Sequence, residues 1–99
     1  MLFKVEMTVN IPSSLPKEQV EEVKAKEKAY SQRLQREGKW PHIWRVVGQY
    51  ANVSIFDVAD NQELHEILTA LPLYPWMEIS VQPLCAHPSS IYTEQTSSK

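Results

Sequence analysis

The sequence predicts an α+β fold in which four strands and two helices follow one another in the order βαββαβ. Segments in which apolar and polar residues alternate, as in half-buried strands, lie near each end of the chain and as a pair in its middle. Two segments with apolar residues at helical spacing separate them. With 99 residues, of which 42% are hydrophobic, the chain suffices for one small domain with a single core.

The first predicted strand covers residues 2–10, and the segment Pro12-Ser13-Ser14 ends it. Its alternation places one set of apolar side chains on the buried face of the sheet: Phe3, Val5, Met7 and Val9. The polar side chains between them then face the other way.

The first predicted helix runs from Pro16, which suits an early helical position, to Gly38, which suits a helix end. Its apolar stripe consists of Val20, Val23, Tyr30 and Leu34. Glu27 falls inside this stripe, four residues after Val23 and three before Tyr30. Its carboxylate is therefore predicted to point at the core.

Glu27 is the most informative residue of this helix. A carboxylate in a partly dry interior resists ionisation, so its pKa rises towards neutrality and it can take and return protons at cellular pH. This predicts an acid/base catalyst. Periodicity alone leaves an alternative open, in which Glu27 lies at the border of the stripe and reaches water or pairs with Lys24, Lys28 or Arg33.

A hairpin is predicted in the middle of the chain, with strands over residues 40–47 and 50–58 and a tight turn or bulge at Gly48-Gln49. One side of its first strand carries His42, Trp44 and Val46, and the other carries Ile43, Arg45 and Val47.

Asp60 or Asn61 is placed to cap the second helix, which Pro72 and Pro75 end. The buried stripe of this helix is Leu64, Ile67, Leu68 and Leu71. The last strand is predicted over residues 77–84, with Met77, Ile79 and Val81 inward.

This order of elements is that of the ferredoxin-like fold, an antiparallel four-stranded sheet with two helices on one face. We expect one domain over residues 1–92 that includes a C-terminal extension, followed by a disordered tail over residues 93–99. The segment Pro88-Ser89-Ser90 either closes the pocket of a neighbouring copy, which we favour, or covers the edge of its own sheet.

The second face of the sheet cannot be covered by the two helices. We expect it to carry Lys4, Glu6 and Thr8, either Trp44 or Arg45, and Tyr50, Asn52 and Ser54. Aromatic rings mixed with hydrogen-bonding groups on an uncovered sheet indicate a partner subunit or a ligand. Dimerisation through the sheets is the simplest arrangement.

Composition and charge argue against several function classes. A net charge of -2 gives no broad positive field for nucleic acid. The sequence contains no signal-peptide core and no apolar run near the roughly 20 residues that cross a bilayer, so we expect a cytoplasmic protein. Two glycines cannot form a Gly-rich phosphate loop, and His42, His65 and His87 lack the spacing of metal ligands. We therefore expect no metal and no organic cofactor.

The residues left for chemistry are Glu27 and Lys24 on the first helix and a cluster on the hairpin: His42, Trp44, Arg45, Tyr50 and Asn52. A carboxyl group of raised pKa beside a positive group suits proton transfer next to a carbonyl, because the cation stabilises the oxyanion that develops. A solvated strand edge or a subunit salt bridge explains His42 and Arg45 equally well. For Trp44, ordinary packing is the alternative to a role in the site.

Specific strings of residues resemble a known family. They occur in order over residues 1–92 and comprise Leu2-Phe3-Lys4-Val5-Glu6-Met7-Thr8-Val9, Gln32-Arg33-Leu34-Gln35-Arg36-Glu37-Gly38-Lys39-Trp40, Trp44-Arg45-Val46-Val47-Gly48-Gln49-Tyr50-Ala51-Asn52, Ser54-Ile55-Phe56-Asp57-Val58, Leu71-Pro72-Leu73-Tyr74-Pro75 and His87-Pro88-Ser89-Ser90-Ile91. Together they are similar to the muconolactone Δ-isomerases.

The resemblance implies an intramolecular oxidoreductase of the β-ketoadipate pathway, in the catechol branch of aromatic catabolism. Such enzymes shift the ring double bond of muconolactone to give 3-oxoadipate enol-lactone without a cofactor, and their sheet-paired dimers assemble into homodecamers. The segment Lys24-Ala25-Lys26-Glu27-Lys28 matches the family pattern around the helix carboxylate. Gln49 and Tyr92 depart from it, because histidine is common at both positions.

The implied roles are those of a base and its helpers. Glu27 would move the proton, Lys24, Tyr50 or Asn52 would donate to the dienolate oxygen, and Arg45 or His42 would hold the acetate side chain. Trp44 is predicted to contact the substrate as well. Two alternatives stay open: a 5-chloromuconolactone dehalogenase, which looks alike in fold and length, and a non-catalytic module that binds small acids.

Overall fold

A computed structural model describes residues 1–92 of the chain. Its elements are β1 (Leu2–Val9), α1 (Lys17–Arg36), β2 (His42–Arg45), β3 (Ala51–Asp57), α2 (Asn61–Thr69), a short 3-10 turn (Tyr74–Trp76) and β4 (Met77–Leu84). The predicted order βαββαβ is confirmed. The tail predicted over residues 93–99 lies outside the described residues.

The four strands form one antiparallel sheet in the order β2-β3-β1-β4. The hairpin partners β2 and β3 are neighbours, and β1 lies between β3 and β4. Pro83 has no N–H for a ladder hydrogen bond, and the edge position of β4 tolerates it. The arrangement is the predicted ferredoxin-like one.

The core lies between the helices and one face of this sheet. From β1 it receives the predicted alternate side chains, which are at most 7% exposed: Phe3, Val5, Met7 and Val9. From α2 it receives the predicted stripe, with Leu71 following the helix. Burying one such side chain contributes about 1.5–3 kcal/mol, so this face fixes which side of each element turns inward.

The connection between α1 and β2 contains a glycine in the left-handed backbone conformation. Gly38 has φ +80°, a conformation that glycine adopts without strain. The Lys39 N–H donates to the Leu34 carbonyl over 3.0 Å, which closes the end of the helix. The chain then places Trp40 in the core, where its ring centroid lies 4.6 Å from that of Phe56. The predicted end at Gly38 lies two residues beyond the observed one.

Two hydrogen bonds begin α2. Asp60, one of the two predicted caps, accepts at Oδ1 from the Glu63 N–H over 2.8 Å. Glu63 in turn accepts at Oε1 from the Ala59 N–H over 2.7 Å. Two backbone donors at the helix start are thereby satisfied.

The hairpin is shorter than predicted. Only four residues of β2 pair with β3, because residues 46–50 form the turn in which Gly48 has φ +78° and the Gln49 N–H donates to the Val46 carbonyl. In β4 the inward position Val81 is 42% exposed, because the edge of the sheet extends beyond the helices.

The open face of the sheet differs in part from the prediction. It carries Lys4, Glu6 and Thr8, as predicted, and Trp44, which pairs with Val53. The placement of Tyr50 on this face is wrong, because its ring lies on the α1 side of the sheet, with its centroid 5.5 Å from Lys24 Nζ. The placement of Asn52 and Ser54 on the open face is wrong as well. They pair with Met7 and Val5, and residues directly opposite in an antiparallel pair share a face, so both point towards the helices. Neither helix of the described residues is long and apolar enough to span a membrane.

Candidate active site

A cavity of about 270 Å³ lies between α1, the turn end of the β2–β3 hairpin and the turn that precedes β4. Five of the residues singled out in the sequence border it: Lys24, Glu27, Arg45, Tyr50 and Asn52. A second concavity of about 310 Å³, between α2 and β4, has a mainly apolar lining. The first cavity is the candidate active site because a carboxylate, three cationic side chains and an amide line it.

Glu27 is half-buried and points towards the core side of α1, as the periodicity predicts. Its Oε1 accepts a hydrogen bond from the backbone N–H of Leu73 over 3.0 Å. Burial raises the pKa of its carboxyl group, and the hydrogen bond from Leu73 opposes this rise without cancelling it. Within residues 1–92 Glu27 has no ion-pair partner within 4.0 Å. The alternative of pairing with Lys24, Lys28 or Arg33 does not describe this structure.

Two cations lie against the ring of Tyr50 at the mouth of the cavity. Lys24 Nζ is 5.5 Å from the ring centroid and Arg45 Cζ is 5.4 Å from it. Both distances are within reach of a cation–π contact. Tyr50 is 40% exposed, so the two cations beside its ring face solvent. Their positive charge suits the approach of an anion.

The amide of Asn52 is oriented by its neighbours inside the cavity. The Ser54 hydroxyl, which is fully buried, donates to Asn52 Oδ1 over 2.8 Å. The Nδ2 atom of Asn52 lies 3.7 Å from Met7 Sδ. An amide nitrogen carries two hydrogens and a thioether is a weak acceptor, so Asn52 has donor capacity left for an oxygen in the cavity.

His42 and Trp44 do not border this cavity. They stack on each other with ring centroids 5.2 Å apart, on the opposite face of the sheet. A substrate contact by either residue therefore requires the cavity of a second copy.

Comparison with known proteins assigns the chain to a family. Residues 1–90 match the family described as muconolactone delta-isomerase. The chain belongs to this family. The resemblance of the sequence strings to the muconolactone delta-isomerases is thereby confirmed.

Individual family members cover almost the whole chain. Muconolactone Delta-isomerase 1 of Acinetobacter lwoffii is 64% identical over 97% of this chain and 100% of its own length. Muconolactone Delta-isomerase of Acinetobacter baylyi is 60% identical over 92% of this chain and 95% of its own length. A crystal structure of muconolactone isomerase superposes with a TM-score of 0.88 at 53% identity, covering 92% of this chain and 95% of the other.

Seven residues that line the cavity are not among the predicted site residues: Val9, Lys28, Ser31, Trp40, Ile43, Leu73 and Met77. Lys28 is adjacent to Glu27 on α1, where the sequence suggests only an ion pair. Trp40 falls in the predicted second strand, whereas the observed strand begins at His42 and Trp40 is buried in the core. Leu73 acts through its backbone N–H, which no side-chain pattern reveals. Among residues 1–92 no three His, Cys, Asp or Glu side chains group as metal ligands.

Proposed function

We propose that this chain converts muconolactone to 3-oxoadipate enol-lactone by a 1,3 proton transfer in which Glu27 is the base. The observation that carries the proposal is the position of Glu27, half-buried at a cavity with a cationic mouth and without an ion pair in the described residues. Membership in the muconolactone delta-isomerase family supplies the substrate.

The reaction needs one group that first removes and then returns a proton. The ring proton on the γ carbon of muconolactone is acidic because its removal gives a dienolate conjugated with the lactone carbonyl. The C–H bond breaks, the proton passes to the Glu27 carboxylate, and the charge moves through the conjugated system to the lactone carbonyl oxygen. Delivery of the proton to the α carbon forms the new C–H bond and moves the double bond. A carboxyl group with a raised pKa suits both half-reactions.

The dienolate needs hydrogen-bond donors at the lactone carbonyl oxygen. Asn52 is oriented by Ser54 with donor capacity to spare, and Lys24 and Tyr50 border the same cavity. We assign the stabilisation of the developing negative charge to these three residues, since fixed donors in a partly dry site act most strongly where charge develops.

The carboxymethyl group of the substrate is an anion that needs a cation at the mouth. Arg45 offers a planar fork of donors and lies beside the ring of Tyr50. We assign the substrate carboxylate to Arg45. His42 or Trp44 contacts the substrate only in an assembly in which the open face of one copy approaches the cavity of another.

We further propose that the chain is a single domain over residues 1–92 that acts in the cytoplasm as a homodecamer built from dimers paired through their sheets. The exposed Trp44 on the open face supports a sheet partner, because a large aromatic side chain gains from losing water contact. Dehalogenation of a chlorinated lactone is the less supported reaction, since the relatives carry the isomerase name.

The test is a proton NMR time course with muconolactone in deuterated buffer containing a chelator. The wild-type protein should form the enol-lactone, and Glu27→Gln should lower turnover by about two or more orders of magnitude, the scale for loss of a general base. Glu21→Gln on the exposed side of α1 is the matched control and should keep its rate.

Near-full turnover by Glu27→Gln would reject Glu27 as the base. Release of chloride from 5-chloromuconolactone, with no conversion of muconolactone, would instead identify a dehalogenase. Binding of the lactone without any conversion would identify a binding module.

A further inference from the structure

The turn that follows α2 is built to offer one backbone donor to α1. The Tyr74 N–H donates to the Leu71 carbonyl over 2.9 Å, and Leu73 has φ -88° and ψ 1°, the values of the third residue of a type I turn. Pro72, the second residue, has no N–H. Within this turn the N–H of Leu73 is therefore the donor available to a partner outside it, and it donates to Glu27 Oε1 over 3.0 Å.

Both sides of this contact are held in place. The side chains of Leu71 and Leu73 are 2% and 4% exposed, and the Leu73 carbonyl accepts from the Trp76 N–H over 2.9 Å. On the helix side, the Tyr30 hydroxyl donates to the Ile67 carbonyl over 3.1 Å, one turn of α1 beyond Glu27. Two hydrogen bonds thus set the distance between α1 and the chain of α2 and its following turn.

We propose that the backbone N–H of Leu73 is a positioning group that holds Oε1 of Glu27, so that Oε2 alone takes and returns the proton. This inference rests on the proposed function of Glu27 as the base. The 1,3 shift requires the same oxygen to reach two carbons of one ring. A carboxylate anchored through its other oxygen keeps the accepting atom in place between the two half-reactions.

The anchor has a measurable consequence for acidity. A donor to the ionised carboxylate favours ionisation, so the Leu73 N–H holds the pKa of Glu27 below the value that burial alone would set. Loss of this donor should move the acidic limb of the rate profile to higher pH and lower kcat, because Glu27 then ionises later and points less accurately.

The test replaces the amide at Leu73 by an ester in a chemically synthesised chain, with the leucine side chain kept. We expect a fall in kcat of about tenfold or more, a smaller change in KM, and an acidic limb of kcat/KM displaced upward. The matched control is an ester at Ala70, which loses the hydrogen bond to Glu66 at the end of α2 but leaves the turn over residues 71–74 and the donor to Glu27 intact. It should retain the wild-type acidic limb.

A second measurement uses the protein without an ester, so it tests the inference even when the ester-containing chain does not fold. In protein labelled with ¹⁵N-leucine, the Leu73 amide proton should shift as Glu27 ionises, with the same midpoint as the acidic kinetic limb. The shift should vanish in Glu27→Gln. A flat Leu73 titration, or an ester at Leu73 with wild-type kcat and pH profile, would overturn the inference. If Glu27→Gln is nevertheless inactive, the proposed function stands without it.

Discussion

At the scale of single residues, Glu27 shows how a helix interior tolerates a carboxylate. Burial disfavours its charged form, and one backbone donor from Leu73 compensates only in part. The residue therefore lowers the stability of the folded protein when it is ionised. It remains at an apolar position of α1, which is consistent with selection for its chemistry rather than for packing.

Because ionised Glu27 destabilises the folded protein, its contribution to stability should fall with rising pH, the opposite of the usual behaviour of a carboxylate whose pKa is lowered on folding. The pKa of Glu27 is raised on folding above its ordinary value of 4.5, so between these two values the folded chain binds more protons than the unfolded chain. The contribution of Glu27 to the free energy of unfolding is therefore most favourable below pH 4.5 and declines as the pH rises through the folded pKa.

Urea unfolding of wild type and Glu27→Gln across this pH range measures the effect. The wild type should lose stability relative to Glu27→Gln as the pH rises, because glutamine keeps an oxygen for Leu73 and carries no charge. A difference that is constant with pH, or that changes in the opposite direction, would contradict a raised pKa.

At the scale of elements, local sequence rules succeed where the helices and strands are long. The stripes of α1 and α2 and the alternation of β1 determine their faces, because each has enough apolar side chains to make a wrong rotation costly. The four-residue strand β2 has exposed side chains throughout. Its bounds depend on pairing with β3 and on the turn at Gly48, which alternation alone does not specify.

The start of α2 offers a test of local capping. Replacing Asp60 by Ala removes the acceptor for the Glu63 N–H and should lower the free energy of unfolding by about 1 kcal/mol. Asn61→Ala, at the first helical residue, is the control because the Asp60 cap remains. Thermal unfolding followed by circular dichroism measures both. Equal stability of the two variants would show that the cap contributes nothing.

At the scale of the whole molecule, the sequence predicts the layers better than the contents of the site. Periodicity brings Glu27 to the helix layer, but the register of β1 with β3 decides that Asn52 joins it, and the register of β2 with β3 decides that Trp44 does not. A shift of one residue in a strand exchanges its two faces. Residue types at the site were therefore predictable, whereas their grouping required the pairing of distant strands.

The open face supplies the prediction at this scale. Trp44→Glu places a charge in the proposed sheet-to-sheet contact and should reduce the sedimentation coefficient at micromolar protein concentration, because burial of an unpaired charge is unfavourable. Val47→Glu, at a side chain that is 93% exposed in the hairpin turn, is the control. Unchanged association of Trp44→Glu would move the proposed subunit contact away from this face.

The bond between Glu27 and Leu73 also joins parts of the chain that are 46 residues apart. Formation of α1 alone does not complete the anchored base, since Oε1 of Glu27 receives the hydrogen bond from the Leu73 N–H only after the turn that follows α2 has docked. A native contact between segments so far apart in the chain forms later than a local helix, because the entropy of loop closure must be overcome first. During refolding, helical signal should therefore return before catalysis, and the nascent protein acquires its proton chemistry only once both halves of the chain have met.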